Sequence, residues 1–344
     1  MKSKQNFICE LSRYYRRELP LANIQVNLDW VNTQGWESEI YAYTLTHTKG
    51  GDCQTIKAVM RLLTGSSFEG AQGEFRTLSL LHQAGYPVPE VYALGSSKDG
   101  FGSPFILMQR VEGGNFSDSF PKTSQDDLAP LRKFVGLFRR LHTLDWRPYL
   151  ENPAEVDSPD QPYFHFDRLM DQFSHYFNKF NLTMLEPYQD WLREQREKVP
   201  CDRGSVVHYD FHPDNILADS EGKLYVVDWT SAEISDYRFD LAWTLTLALA
   251  YGGQERHQWI LDEYERQLGH PVPGLPIFEV AAILRRMGFI MLSLEKGSER
   301  MGMRPEAVEA MRRDQVPLTR LYNRITFLTG IHSPEISRWL ENLG

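Results

Sequence analysis

Three cysteines in 344 residues (Cys9, Cys53 and Cys201) are too few and too scattered for a disulfide scaffold, and none has C-x-x-C spacing. An odd number of isolated cysteines also argues against a zinc finger and suits a reducing cytoplasm. Basic residues are in deficit as well: 37 Lys and Arg stand against 46 Asp and Glu, a formal net charge of -9. Phosphate backbones are bound by clustered cations, so nucleic acid is disfavoured as a partner. The balance is compatible with a cationic small substrate, and equally with a surface charged only for solubility. Long apolar runs are missing. "LAWTLTLALAYGG" is too short to span a bilayer, and "VAAILRRMGFIMLSL" carries Arg285 and Arg286 at its centre. The first twenty residues, "MKSKQNFICELSRYYRRELP", have no apolar core of the signal-peptide kind. A cytoplasmic protein with no membrane partner is therefore expected, as a monomer or homodimer. Repeats, low-complexity tracts and the P-loop pattern G-x-x-x-x-G-K-[ST] are absent too.

Apolar residues make up 42% of the chain and aromatics 12%, enough for a sizeable core. At roughly 150 residues per domain the length suggests two domains or lobes. "EIYAYTLTH" and "TIKAVMRLL" flank Gly50-Gly51 and read as a β-hairpin within residues 36–64. Phe75, Leu78 and Leu81 recur at helical spacing before Gly85, Pro87 and Pro89, which predicts a helix over residues 71–84. "EVYALGS" and "PFILMQRVEG" read as two further strands. From about residue 124 the period becomes helical in "DDLAPLRKFVGLFRRLHTLD", "YFHFDRLMDQFSHYFNKF" and "EPYQDWLREQREKV". A hairpin turning at "DSEG" interrupts residues 206–229, and helices resume after residue 240. A small β-rich half with one helix and a large α-rich half that contains the hairpin follow from this order.

"VVHYDFHPDNIL", residues 206–217, crowds two His, two Asp and one Asn between apolar runs. Alternation of His208, Asp210 and His212 suggests a histidine metal site. Pro213 ends any strand there, however, and no second histidine pair supplies the remaining ligands. A polar turn with locally satisfied Asp and Asn is the plainer alternative. A third reading draws on "KLYVVDWT", which puts Asp228 thirteen residues after Asn215. A hairpin of this length returns Asp228 to the end where Asn215 stands. An amide oxygen and a carboxylate then form a hard-oxygen site of the kind that holds Mg2+ together with substrate phosphates. Asp210 would face the nucleophile, as phosphoryl transfer requires.

"VVHYDFHPDNIL" followed by "VVDWTSAEISDYRFDLAW" resembles the aminoglycoside phosphotransferase and choline kinase family. The family pattern HxDxxxxN, then D-W or D-F, then D-L-A is met by His208, Asp210 and Asn215, by Asp228-Trp229 and by Asp240-Leu241-Ala242. The resemblance implies an α+β, protein-kinase-like two-lobe fold. A small antiparallel β-sheet lobe with one helix would span residues 1–112, with a hinge near 109–114. A large mainly helical lobe would span 115–344, with the catalytic loop at 206–230. It implies an ATP- and Mg2+-dependent transfer to a hydroxyl of a small molecule, with GTP as the alternative donor. Asp210 would be the catalytic carboxylate, and Asn215 and Asp228 the metal ligands. His208, His212 and Asp240 would support the loop. Arg61 would meet the nucleotide phosphates, with Lys57 as the alternative on the same strand face, and Glu74 would orient the cation. Backbone groups around Met108, Gln109 and Val111 would hold the adenine. The phosphate-covering turn is the weakest match, because "TQGWESEIY" offers Gly35 alone before Trp36 to Ser38.

The acceptor is left open between an aminoglycoside-like compound, a sugar, and choline, homoserine or another amino alcohol. A nucleotide-binding scaffold without activity is the alternative from another class, and the intact Asp210, Asn215 and Asp228 set argues against it. Residues 151–198 carry ten acids against five bases, an acidic rim that would suit a cation if it faced the site. Tyr163, Phe164, Phe166 and Trp191 would either stack on such a substrate or belong to the core.

Overall fold

A computed structural model describes residues 4–18, 21–33, 38–123, 126–150, 160–296, 309, 312–313 and 315–343. Gly35 and Trp36 of the phosphate-covering turn, and the acids Glu151, Glu155 and Asp157, lie outside the described residues. The chain divides into two units, residues 1–115 with 216–230, and residues 116–215 with 231–344.

The first unit is built on helix α1 (Lys4–Glu18), strands β1 (Ala22–Asn32), β2 (Ser38–Lys49) and β3 (Asp52–Leu63), helix α2 (Phe68–Gln83), and strands β4 (Val91–Gly95) and β5 (Phe105–Gln109). The strands form one antiparallel sheet in the order β1-β2-β3-β5-β4. Gly50 and Gly51, both at positive φ, make the two-residue turn that the hairpin needs. Helix α2 begins at Phe68 rather than residue 71. Ser67 caps it there, its hydroxyl accepting from Gly70 N–H. Gly85, at φ 72°, ends it.

The single helix expected in this half is corrected to two. Helix α1 sets Phe7, Leu11, Tyr14 and Tyr15 on one buried face, and the Phe7 ring stacks on Tyr41 at 4.7 Å. Strand β1 buries only Val26 and Leu28 among Asn, Gln and Asp, so its alternation is faint in the sequence.

Strand β6 (Gly113–Asn115) pairs with β8 (Ile216–Asp219), which pairs in turn with β9 (Leu224–Val226). Asp219 accepts the Glu221 and Lys223 N–H groups through the turn, and Gly222 takes φ 78°. The hairpin that the sequence reading puts inside the helical half therefore groups with the β-rich unit. Its edge bonds to β6, and Val226 N–H donates to Pro87 O.

The second unit carries helices α3 (Ala129–His142), α4 (Phe164–Phe180), α5 (Glu186–Glu194), α6 (Tyr237–Leu268), α7 (Leu275–Lys296), α8 (Val316–Thr329) and α9 (Pro334–Glu341). The ribbon β7 (Ser205–Val207) and β10 (Glu233–Ser235) completes it. The apolar face of α3 buries Leu131, Phe134, Val135, Phe138 and Leu141, and Phe138 stacks on Phe211 at 4.2 Å. Helix α6 starts from the Asp236 cap and is broken at Gly253. Among the described residues no helix is long and apolar enough to cross a membrane.

Candidate active site

The expected site residues divide between the two units. In the second, strand β7 delivers the chain to His208, and the first turns of α6 grip the loop that follows. Asp240, Trp243 and Thr244 stand at i, i+3 and i+4, so they share one helix face. The Asp240 carboxylate, fully buried, accepts His208 N–H and Tyr209 N–H, both at 2.8 Å. His142 Nε2 lies 3.1 Å from the same carboxylate, and Tyr264 Oη is 2.8 Å from His142 Nδ1. Thr244 donates to Phe211 O at 2.8 Å. Tyr209 sits at φ 58°, a conformation costly for a bulky residue, and these bonds hold it there.

The loop so held presents Asp210, whose side chain is 43% exposed. Trp243 Nε1–H donates to its Oδ1 at 3.2 Å, and Asn215 Nδ2 donates to its Oδ2 at 3.2 Å and to its backbone O at 2.9 Å. His212 Nε2 lies 3.4 Å from Oδ2, and the other ring nitrogen lies 3.6 Å from Asp214. Burial alone would raise the Asp210 carboxyl. The hydrogen bond and charge of His212 and the Trp243 donor outweigh it and hold the carboxyl well below the usual carboxylate range. Burial likewise opposes the charge on His212, but the flanking carboxylates of Asp210 and Asp214 push the imidazole up to about 9. The hydrogen bond from His212 brings Asp214 down to about 2. His208 is buried, and its Nδ1 accepts Asp210 N–H at 3.3 Å.

In the first unit, Arg61 projects from β3 with each of its three guanidinium nitrogens bonded. Nη1 bonds Glu74 at 2.6 Å, Nη2 bonds Asp228 at 2.7 Å, and Nε bonds Ser38 Oγ at 3.2 Å. Lys57 points instead to Glu112, 2.6 Å away on an exposed face, so Arg61 is the cation that Glu74 orients. Asp228 stands at φ 66° and also accepts the Thr230 hydroxyl. Pairing of Ile216 with Val226 leaves Asn215 just before one hairpin strand and Asp228 just after the other. At the expected adenine segment the Met108 side chain is buried in the sheet. Gln109 N–H is taken by Glu90 O and Arg110 N–H by Lys57 O, whereas Val111 N–H has no backbone acceptor among the described residues.

Two residues of the second unit escaped the sequence reading. Trp243 follows the D-L-A triplet directly and holds Asp210. Arg285 lies over the rings of Trp243 and Tyr209, 4.4 and 4.9 Å from their centroids. A charged pair inside an otherwise apolar helix is the one signal of it in the sequence. Two of the aromatics left open between substrate stacking and the core are otherwise engaged. Phe166 is buried against Phe239, and Tyr163 stacks under Arg196 at 4.1 Å. Of the acids in this stretch, Asp167 pairs with Arg196, Asp190 with Arg193 and Glu197 with Arg196.

Comparison with known proteins gives concordant matches. A profile described as the phosphotransferase enzyme family matches residues 32–277. The crystal structure of a candidate aminoglycoside phosphotransferase from Ralstonia eutropha superposes with TM-score 0.64 at 18% identity, covering 92% of this chain and 97% of that one. Aminoglycoside phosphotransferase APH(4)-Ia, in a thermostable apo form, gives 0.58 at 15% identity over 94% of this chain and all (100%) of that one. Its ternary complex with AMP-PNP and hygromycin B gives 0.57 at 15% identity, covering 92% and 97% of the two chains. These likenesses establish a shared protein-kinase-like fold. Among curated proteins, acyl-CoA dehydrogenase family member 11 of Gallus gallus is 26% identical over 178 residues, 49% of this chain and 22% of its own length. Family member 10 of Mus musculus is 26% identical over 201 residues, 54% of this chain and 17% of its own length. The chain thus spans about a fifth of the length of the curated relatives it matches.

Proposed function

The chain belongs to the phosphotransferase enzyme family, and from that premise we propose that it transfers the terminal phosphoryl group of ATP, with Mg2+, to a hydroxyl of a small molecule in the cytoplasm. The carrying observation is Asp210, an ionised carboxylate whose two oxygens are aimed by Trp243, Asn215 and His212 on a loop anchored at Asp240. A carboxylate held this far below its usual range is a weak base. Its part is to accept the hydroxyl hydrogen bond and aim the oxygen in line, and the proton leaves late, as suits a loose phosphoryl-transfer transition state.

The first unit is proposed as the nucleotide lobe with a hinge near 109–114, and the second as the acceptor lobe. Arg61, oriented by Glu74, would meet the phosphates, and Val111 N–H would donate to adenine. Among the described residues no three His, Cys, Asp or Glu side chains gather to hold a metal. Mg2+ does not need them, since one or two protein oxygens plus phosphates and water complete its shell. The donor chemistry fits. Asn215 commits its amide nitrogen to Asp210, which leaves its amide oxygen as the ligand atom, and Asp228 offers a carboxylate. Bound there, Mg2+ would neutralise phosphate charge. Free cysteines, two of them exposed, are in keeping with a reducing compartment.

The test is Asp210→Asn, which keeps the size and one of the two accepting oxygens. Phosphoester formation, followed by coupled ADP release and mass spectrometry, should fall by at least about 100-fold. Calorimetry should find ATP binding retained. Near-normal turnover in this variant would defeat the assignment.

A further inference from the structure

We propose that the acceptor alcohol also carries an anionic oxygen group, a carboxylate in the first instance, and that Arg285 recognises it; this rests on the phosphotransferase reading above. The inference starts from the charges around Asp210 in the second unit. Asp210 shares His212 with Asp214, at 3.4 and 3.6 Å. Glu233, whose carboxyl burial pushes up and whose neighbours Arg168 and Arg285 pull it back, is matched by Arg168 at 2.7 Å. Arg168 also donates to Ile234 O at 3.1 Å. Arg285 is the cation of this group without a direct partner. It is half-buried on α7, and among the described residues it makes no hydrogen bond and has no carboxylate within ion-pair distance.

Arg285 is nonetheless held in place. Its guanidinium lies over Trp243 and over Tyr209, and the Tyr209 hydroxyl is itself 2.8 Å from Ser235 Oγ. Stacking fixes the plane of a guanidinium without consuming its five N–H donors, so the fork stays available for a planar two-oxygen partner. The position is telling as well. Trp243 is the residue whose indole N–H holds Asp210 Oδ1, so one side chain touches both the carboxylate that addresses the hydroxyl and the cation beside it. A small molecule with its hydroxyl on Asp210 would bring a group only a few bonds away to Arg285. An ammonium there would meet the like charge of the guanidinium. A carboxylate would receive charge-assisted, two-pronged hydrogen bonds.

The full-length protein, supplied with Mg2+ and ATP, is assayed against four sets of alcohols matched in size: hydroxy acids, their amides, the corresponding amino alcohols, and sugar or glycerol phosphates. Anionic acceptors should give the highest kcat/KM. Arg285→Gln should raise their KM on the order of 10- to 100-fold, the loss of a charge-assisted hydrogen-bond pair, with a smaller change in kcat. Arg285→Lys, which keeps the charge and loses the fork, should fall between and guards against a folding defect in the first variant. A preference for hydroxy acids over phosphates identifies the carboxylate; the reverse assigns the same site to a phosphate. Preference for amino alcohols or amides, with KM indifferent to both variants, overturns the inference and leaves the phosphotransferase reading standing. Absence of a phosphoester from every set overturns both.

Discussion

Asp210 and His212 form a charge pair inside "HYDFHPDN", with Asp214 on the far side of the ring. His212 in the folded protein titrates near 9, above its ordinary 6.5. A raised histidine stabilises fully below the unfolded value and loses that stability as pH climbs through the folded one. Urea unfolding of the wild type should therefore show stability declining between pH 6.5 and about 9, and His212→Asn should flatten that slope; equal slopes would refute the pairing. Asp214 works in the other direction. Its lowered carboxyl contributes above its unfolded value and loses that contribution as pH falls toward about 2. Removing His212 also removes the charge that keeps Asp210 low, so the acid limb of kcat against pH should move to higher pH in His212→Asn.

The first two turns of α6 shape the loop at residues 208–211 as a unit. Three side chains on one helix face take up two loop N–H groups, a loop carbonyl and the Asp210 carboxylate. Asp240→Ala would strand two N–H donors and the His142 ring. At about 1–3 kcal/mol for each buried unpaired group, a loss of several kcal/mol is expected in denaturant titration, together with loss of transfer. Thr244→Val removes one neutral hydroxyl bond and should cost only about 1 kcal/mol with activity largely kept. If the two variants proved equally mild, Asp240 would not be the anchor. The hairpin β8–β9 teaches a related lesson. Its turn was legible from "DSEG", but its membership of the β-rich unit depends on β6, three residues long with two glycines, which has no periodicity to detect.

For the whole molecule, nucleotide binding should appear as added stability. A ligand that binds only the folded state at about 100 times its Kd raises the unfolding free energy by about 2.7 kcal/mol. Thermal unfolding with ATP should shift upward, more with Mg2+ than with EDTA, and Asp228→Ala should erase the Mg2+-dependent part. An unchanged Mg2+ increment in that variant would exclude Asp228 as a ligand. Arg61 offers a contrast at the same scale. Its three-way fork to Glu74, Asp228 and Ser38 draws on β3, α2, β2 and the hairpin, elements far apart in the sequence.

The amino-acid sequence by itself determined the β-then-α order of the chain, most of the helices, and the motif set Asp210, Asn215 and Asp228, because periodicity and short-range spacing are local properties. Helix α1 and strand β1 were not read because polar residues dilute their apolar faces. The tertiary structure alone decided that Arg61 rather than Lys57 meets Glu74, since two residues on one strand face differ only in which neighbour stands opposite. It also brought Trp243 from α6 and Arg285 from α7 to the loop that carries Tyr209 and Asp210. Residues so separated in sequence become one constellation only when helices pack, and an arginine stacked on two rings is, in the sequence, only a charge in an apolar run.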